Sequence, residues 1–313
     1  MNLKQNFQNQ IAESLFPGNL SEEKACFLRR FAPENHPDNR VSTHKAIAKL
    51  MGEDLVVYCE NKINQTVRKV IEVIVQRYGE KMKGDGVNTE VLVNLKPGGK
   101  RDKESEQKIS PWKEVYKWLW NYKFLRWIDM NGWSILKERA KIAPNWLQFL
   151  TKEEMASVQR GTRAVVLPPP PPAVQKIMPT IPAEKSLWMV IDLEFDNSQL
   201  LLLNRSQDGE FLLCPSSAYA PHPIIEKPPI LLPQKDSWAD QDESKTNFKF
   251  GKLVKEEFLA IALEKPVSLP WLIPREEEAL PEWNAERLKE LFEQLEKQDN
   301  WQVFYQSFEV VEK

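Results

Sequence analysis

The sequence predicts an α+β protein, in which a helical N-terminal domain is joined by a polyproline spacer to a small β-sandwich or barrel domain with a late helix. Three observations support this fold class. Five consecutive prolines, 168–172, interrupt the chain. Apolar residues recur mostly at helical spacing before the prolines and at strand spacing after them. The charge also changes sign, because residues 1–165 contain 28 Lys and Arg and 20 Asp and Glu, whereas residues 166–313 contain 15 and 25.

A chain of 313 residues is long enough for two domains. We expect a mostly helical, basic, aromatic-rich domain over 1–165, a Pro-rich linker over 166–182 and a β-rich acidic domain over 183–313. Proline cannot donate a backbone hydrogen bond and favours the extended polyproline II conformation. We therefore interpret the linker as a semi-rigid spacer. The alternative is a docking site for an aromatic-lined groove.

The elements of the N-terminal half follow from apolar spacing and capping residues. A spacing of four predicts a first helix over 3–15, and Ser21 is a candidate N-cap of the second. A continuous apolar stripe predicts a long helix from Leu55 to Tyr78. Strict alternation predicts a strand from Val87 to Leu95. Ser110, followed by proline, marks the start of an aromatic-rich helix.

The C-terminal half is dominated by short apolar or alternating segments. They predict strands over 187–195, 199–204, 211–214, 230–232, 248–250, 257–263 and 301–311. Asp208 and Gly209 are typical of a tight hairpin turn, which needs positive φ angles. Asn284 is a candidate N-cap for one late helix.

Three segments of this half resemble the bacterial "domain of unknown function 4384" family. They are LLLLNRSQDGEFLLCPS (200–216), LLP (231–233) and FKFGKLVKEEFLAIALEKPV (248–267). The resemblance covers about 187–267, and the N-terminal half resembles no family known to us. It implies a small β-domain without established activity, appended to other modules. It also implies a caspase-like peptidase or its signalling system as a partner.

Tryptophans dominate the region around residue 120. Trp112, Trp120 and Trp127 fall on an apolar helical stripe, so we expect them to be mainly buried. Trp118 falls on the opposite side of that stripe. It is therefore the candidate contact residue for a protein partner.

Four basic residues alternate with these aromatics and are candidate nucleic-acid contacts: Lys113, Lys117, Lys123 and Arg126. Aromatic rings can stack on bases while basic side chains hold phosphates. The same spacing also fits a helical core or a surface for a protein partner.

The sequence contains no complete catalytic or metal-binding signature, so we expect no enzymatic activity, no cofactor and no metal. The expected function is that of an adaptor or regulatory protein that binds another protein, with a nucleic-acid-binding regulator as the alternative. No apolar run reaches the roughly 18–20 residues of a membrane-spanning helix. The first ten residues do not resemble a signal peptide and the three cysteines are scattered, so we expect a cytoplasmic location.

Overall fold

The computed structural model describes residues 2–34, 43–55, 58–94, 110–143, 145–151, 153–155, 178–195, 197–241, 248–251 and 254–312. The chain divides into two compact units, Met1–Ile128 and Asp129–Lys313. The first is helical and the second contains the β-sheets, which confirms the predicted α+β class. The proline run 168–172 lies outside the described residues.

The boundary between the units falls earlier than the expected domain end at 165. The strand Leu147–Leu150 pairs antiparallel with Trp188–Ile191, so segments on both sides of the proline run share one sheet. The short LQFL sequence gives no local sign of this pairing, because its partner strand lies far along the chain. The second unit therefore begins well before the prolines.

Helices account for most of the described first unit. They are α1 (Leu3–Leu15), α2 (Glu22–Arg30), α3 (His44–Asp54), α4 (Ile63–Gly84), α5 (Thr89–Asn94), α6 (Pro111–Trp118) and α7 (Phe124–Glu138), the last of which contains the unit boundary. The predicted cap at Ser21 is confirmed, because its hydroxyl accepts a hydrogen bond from the Lys24 amide at 3.1 Å. A π-helical segment, Leu119–Lys123, connects α6 to α7. Within the described residues, no helix is both long and apolar enough to span a membrane.

The structure corrects two predictions for this unit: one strand is wrong, and one helix begins later than expected. The expected strand over 87–95 is wrong: Thr89–Asn94 form helix α5, and the Asn88 side chain accepts a hydrogen bond from the Val91 amide at 3.2 Å. A helix of six residues makes fewer than two turns, and over so short a length an alternating pattern does not separate a strand from a helix. The expected helix over 55–78 begins only at Ile63, after a 3₁₀ turn at Glu60–Lys62.

The described residues of the second unit form two sheets. The larger has the order β2 (Thr180–Pro182), β9 (Trp301–Val311), β8 (Lys255–Leu263), β4 (Ser198–Ser206) and β5 (Gly209–Cys214), and β6 (Ile224–Ile225) also pairs with β4. The smaller has the order β1 (Leu147–Leu150), β3 (Trp188–Ile191) and β7 (Ile230–Leu232). β2 and β9 are parallel, whereas the other pairs are antiparallel.

The core of this unit lies between the two sheets. One face of the larger sheet contributes Phe258 and Phe308, and the smaller sheet contributes Met189 and Leu232 to the same buried cluster. Residues two apart on a strand share a face. Two sheets that share one buried cluster correspond to the sandwich, one of the two architectures expected, rather than to the barrel.

The predicted hairpin forms, but its conformation differs from a turn with two positive φ angles. Ser206 pairs with Gly209, so Gln207 and Asp208 form a two-residue loop. Gly209 has a φ of 137°, while Asp208 is not among the residues with positive φ. The expected strand over 248–250 is a single bridge between Phe248 and Leu187.

The predicted late helix is confirmed. After a short helix, α8 (Trp238–Gln241), α9 covers Ala285–Leu295 and buries its apolar face. Its N-cap is Asn284, whose side-chain oxygen accepts from the Arg287 amide at 3.0 Å.

Glu257 is the centre of a polar network on the other face of the larger sheet. It accepts hydrogen bonds from the Tyr305 hydroxyl, from Lys255 Nζ at 2.9 Å and from Lys137 Nζ at 3.1 Å. Burial raises the pKa of Glu257, but these hydrogen bonds outweigh it and lower the pKa to about 2. Because Lys137 lies on α7, the network ties the end of this helix to β8.

Candidate functional site

A cleft of ≈ 360 Å³ opens at the end of the sandwich where β4 turns into β5. Its lining combines five aromatic side chains with one buried carboxyl group: Phe211, Tyr219, Phe248, Phe250, Phe258 and Glu256. We call it the aromatic cleft. These residues come from β5, from β8 and from two irregular segments, so the fold itself brings them together.

Backbone pairing fixes the irregular wall of the aromatic cleft. Phe248 and Leu187 exchange two backbone hydrogen bonds, both of 3.1 Å, and the Phe250 carbonyl accepts from the Glu184 amide at 3.1 Å. The Tyr219 amide donates to the Ser216 hydroxyl at 3.1 Å. Three of the aromatic residues are therefore held by their own backbone.

The rings also hold one another. Tyr219 stacks on Phe248, with ring centroids 4.4 Å apart and an interplanar angle of 20°. Phe250 meets Phe258 edge to face at 6.4 Å, and Phe149 of β1 packs 5.1 Å from Phe250. Such a wall presents apolar ring surface without needing to reorganise when a ligand enters.

Glu256 is the polar group of the aromatic cleft. The residue is 4% exposed, and Asn204 Nδ2 donates a hydrogen bond of 2.8 Å to its Oε2 atom. Burial raises the pKa of Glu256, the hydrogen bond from Asn204 lowers it, and the nearby charge of Asp208 raises it. The carboxyl group has thus lost much of its water and gained only part of the compensation in return.

Sequence reasoning missed this site, although one signal was present. In the segment KEEFLAIAL, Glu256 is in register with Phe258 and Ala260, which face the core. A carboxyl group in phase with the buried residues of a strand indicates an inward-facing acid. Tyr219, Phe248 and Phe250 carry no such signal, because their loops reach the cleft only through tertiary pairing.

Two of the three cysteines are unsuited to nucleophilic chemistry. Burial raises the pKa of Cys26 to about 12, and it also raises the pKa of Cys214, whose thiol donates to the Leu200 carbonyl at 3.6 Å. The thiolate is the reactive form of cysteine. In the described part of the chain, no group of three or more His, Cys, Asp or Glu residues is arranged to hold a metal ion.

The expected exposure of Trp118 is wrong. Trp118 is 1% exposed, its Nε1 atom donates to Asp85 Oδ2 at 2.7 Å, and its ring lies 5.7 Å from that of Tyr78. The helical stripe assumed one buried face, but the end of α6 and the π-helical segment that follows it are covered on two sides. Trp120 meets Phe7 of α1 at 5.3 Å, whereas Trp118 meets α4.

Burial was expected for three other tryptophans, and the structure confirms it for two of them. Trp120 and Trp127 are each 9% exposed, which confirms that they are mainly buried. Trp112 is only half-buried, and the guanidinium carbon of Arg30 lies 3.3 Å above its ring. Trp112 thus ends the buried stripe at a cation–π contact rather than in the core.

The four candidate nucleic-acid contacts have different surroundings. Lys117 pairs with Glu114 at 3.1 Å, and Arg126 forms a two-pronged ion pair with Asp85. Lys113 Nζ lies 5.9 Å from the Trp112 ring centroid. Two of the four cations are thus engaged by acids of the same unit.

Lys123, the fourth, lies in a cluster of cations. Its Nζ atom is 4.9 Å from the Tyr78 ring centroid. Burial lowers the pKa of Lys123, and the charges of Lys81, Arg126 and Arg77 lower it further. We call Arg77, Lys81 and Lys123 the basic cluster; its repulsion would be relieved by a bound anion.

Comparison with known proteins found no matching family, no matching curated protein and no matching solved structure. The resemblance of residues 187–267 to the "domain of unknown function 4384" family therefore stays a prediction.

Proposed function

We propose that this protein is a non-enzymatic adaptor or regulatory protein that acts by binding another protein. The observation that carries the proposal is the aromatic cleft, which is open, walled by fixed rings and equipped with one buried acceptor. Its volume lies in the range of roughly 300–1,000 Å³ that is typical of ligand sites. At protein interfaces, a few residues seated in well-packed, desolvated pockets carry most of the binding energy, and aromatic residues are enriched among them. By family analogy, a caspase-like peptidase or its signalling system is the partner to try first.

The test is a selection of displayed random peptides against the full chain, with a variant that obstructs the cleft. Gly251 lines the cleft, and a Cβ atom placed there meets no other atom within 4 Å. Gly251→Trp should therefore obstruct the cleft without a backbone clash. Gly52→Trp, at an equally open glycine of α3, is the matched control.

We expect enriched peptides that bind the native chain and Gly52→Trp equally and that lose binding to Gly251→Trp. Circular dichroism should show that both variants keep the native helix and strand content. Failure to enrich any peptide, or equal binding by Gly251→Trp, would contradict the proposed function.

A nucleic-acid-binding regulator is the second candidate, and the basic cluster favours it. Arg77, Lys81 and Lys123 bring together cations that raise the local affinity for anions. The logarithm of the constant for binding of single-stranded DNA or RNA to the full chain should then fall linearly with the logarithm of the salt concentration. Replacing Lys81 and Lys123 by alanine should reduce that slope, and an unchanged slope would remove this candidate.

We also infer that the protein works in the cytoplasm of a bacterium. Support comes from its three cysteines, all of which are free thiols. Fractionation of the native host followed by immunoblotting tests this location, and recovery from the periplasm or the medium would contradict it.

A further inference from the structure

We propose that the aromatic cleft binds an alkylammonium group, carried either by a lysine side chain or by a free diamine. The lysine form of this inference rests on the proposed function, since it names what the partner protein inserts. The diamine form does not depend on a protein partner.

The first argument is the pairing of a carboxyl group with ring surface. Glu256 and Phe258 lie two residues apart on one face of β8, and both line the cleft. An alkylammonium has an apolar stem for the rings and a charge for the carboxyl group. A cation within about 6 Å of a ring centroid is also attracted by the ring itself.

The second argument is that burial of the Glu256 carboxyl group is unfavourable when no ligand is bound. The carboxyl group is buried, and Asn204 Nδ2 donates a hydrogen bond of 2.8 Å to its Oε2 atom. A neutral ligand would cover the carboxyl group further without supplying a charge or, if it is apolar, a donor. An ammonium ion offers three donors and a full positive charge, which compensates the lost water.

The charges around the cleft agree with a cationic ligand. Asp208, in the turn between β4 and β5, adds a second negative charge close enough to raise the pKa of Glu256. Lys249 also lines the cleft, but Lys249 and Asp208 are both exposed, so water screens both charges and the buried carboxyl group of Glu256 dominates. An anionic ligand would face the buried carboxyl group of Glu256 and is disfavoured.

The experiment compares charged and neutral probes of similar shape by calorimetric titration of the full chain. Nα-acetyl-lysine methylamide is paired with Nα-acetyl-norleucine methylamide, which lacks the ammonium, and cadaverine is paired with 1-pentanol. We expect each ammonium probe to bind about tenfold or more tightly than its neutral partner. Equal binding within both pairs would overturn the inference.

Variants test whether the preference for the ammonium probes depends on the carboxyl group of Glu256. Glu256→Gln keeps an oxygen for Asn204 and removes the charge, so it should abolish the preference for the ammonium probes. Glu309→Gln, on the other face of the same sheet, is the matched control and should keep the preference. If Glu256→Gln does not fold, Gly251→Trp replaces it and should abolish binding of both ammonium probes. A preference retained in a folded Glu256→Gln, or binding retained in Gly251→Trp, would overturn the inference.

The outcomes separate the two sources and the two proposals. Tighter binding of the lysine probe than of cadaverine supports a protein-borne lysine, and the reverse supports a free diamine. Selected peptides that need an open cleft but contain no lysine would uphold the proposed function and overturn this inference. Binding of cadaverine without any selected peptide would uphold this inference and overturn the proposed function.

Discussion

Trp118 should contribute more to stability than an exposed tryptophan does, through two separable interactions. It is 1% exposed, its ring packs at a tilt 5.7 Å from that of Tyr78, and its indole N–H donates to Asp85 at 2.7 Å. Trp118→Ala removes both interactions, and truncating a buried large aromatic costs roughly 3–5 kcal/mol. Trp118→Phe keeps most of the ring packing and loses the N–H donor. Since Arg126 still donates to Asp85, we expect Trp118→Phe to cost only about 1–2 kcal/mol.

The assay is urea denaturation of the full chain, followed by circular dichroism at a wavelength where helices dominate. Hydrogen exchange of α4 and α6 then shows whether the loss is confined to the first unit. Trp238→Ala is the control, because Trp238 is 43% exposed and lies in the second unit. We expect that change to stay within about 0.5 kcal/mol.

The reasoning fails if Trp118→Ala unfolds at the same urea concentration as the native chain. It also fails if Trp118→Ala and Trp238→Ala are equally destabilising, because the burial of Trp118 would then make no difference to the free energy of unfolding. A Trp118→Phe variant as unstable as Trp118→Ala would show that the hydrogen bond to Asp85 outweighs the ring packing.

Three further predictions concern the second unit and the helix caps. Gly209→Val should lower the melting temperature and destabilise the second unit by about 1 kcal/mol or more, because φ is 137° and a Cβ atom would lie 3.3 Å from Phe211. Asn284→Ala should cost about 1 kcal/mol in urea denaturation, whereas Ser110→Ala should cost almost nothing, because the Ser110 side chain makes no capping hydrogen bond. The free energy of unfolding should fall as the pH is lowered from 4.5 towards about 2, because the folded-state pKa of Glu257 is depressed across that window. Glu257→Gln should be less stable than the native chain at neutral pH and should lose less stability over that range.

Each of these has a result that would contradict it. An unchanged melting temperature for Gly209→Val would remove the strained turn from the description. Equal effects of the two cap substitutions would mean that the cap geometry of α6 and α9 does not matter. An identical pH dependence in Glu257→Gln would show that other carboxyl groups cause the acid loss.

Local signals explain why much of the fold is predictable. Strand β9 and helix α9 are predicted because alternation, periodicity and the Asn284 cap all lie within the segment itself. The wrong strand at 87–95 comes from a segment too short for periodicity to decide. Strand β1 was missed because its only signal is a partner strand beyond the prolines.

The site was harder to predict than the fold. Trp118 was misplaced because a helical stripe identifies one buried face but not a second helix that covers the opposite face. The aromatic cleft gathers side chains from separate segments, and no single segment reveals the others. Only Glu256 could have been singled out, by its phase with Phe258 on β8.

The order of strands in the larger sheet also determines the order in which it can form during synthesis. β9 lies between β2 and β8, yet the ribosome makes it after both of them. Until β9 emerges, β2 has no neighbour in this sheet, and one edge of the apolar strand β8 is left unpaired. Such an edge is a template for pairing with other chains. The nascent second unit is therefore most exposed to aggregation between the synthesis of β8 and that of β9, which is the interval in which a chaperone would be most useful.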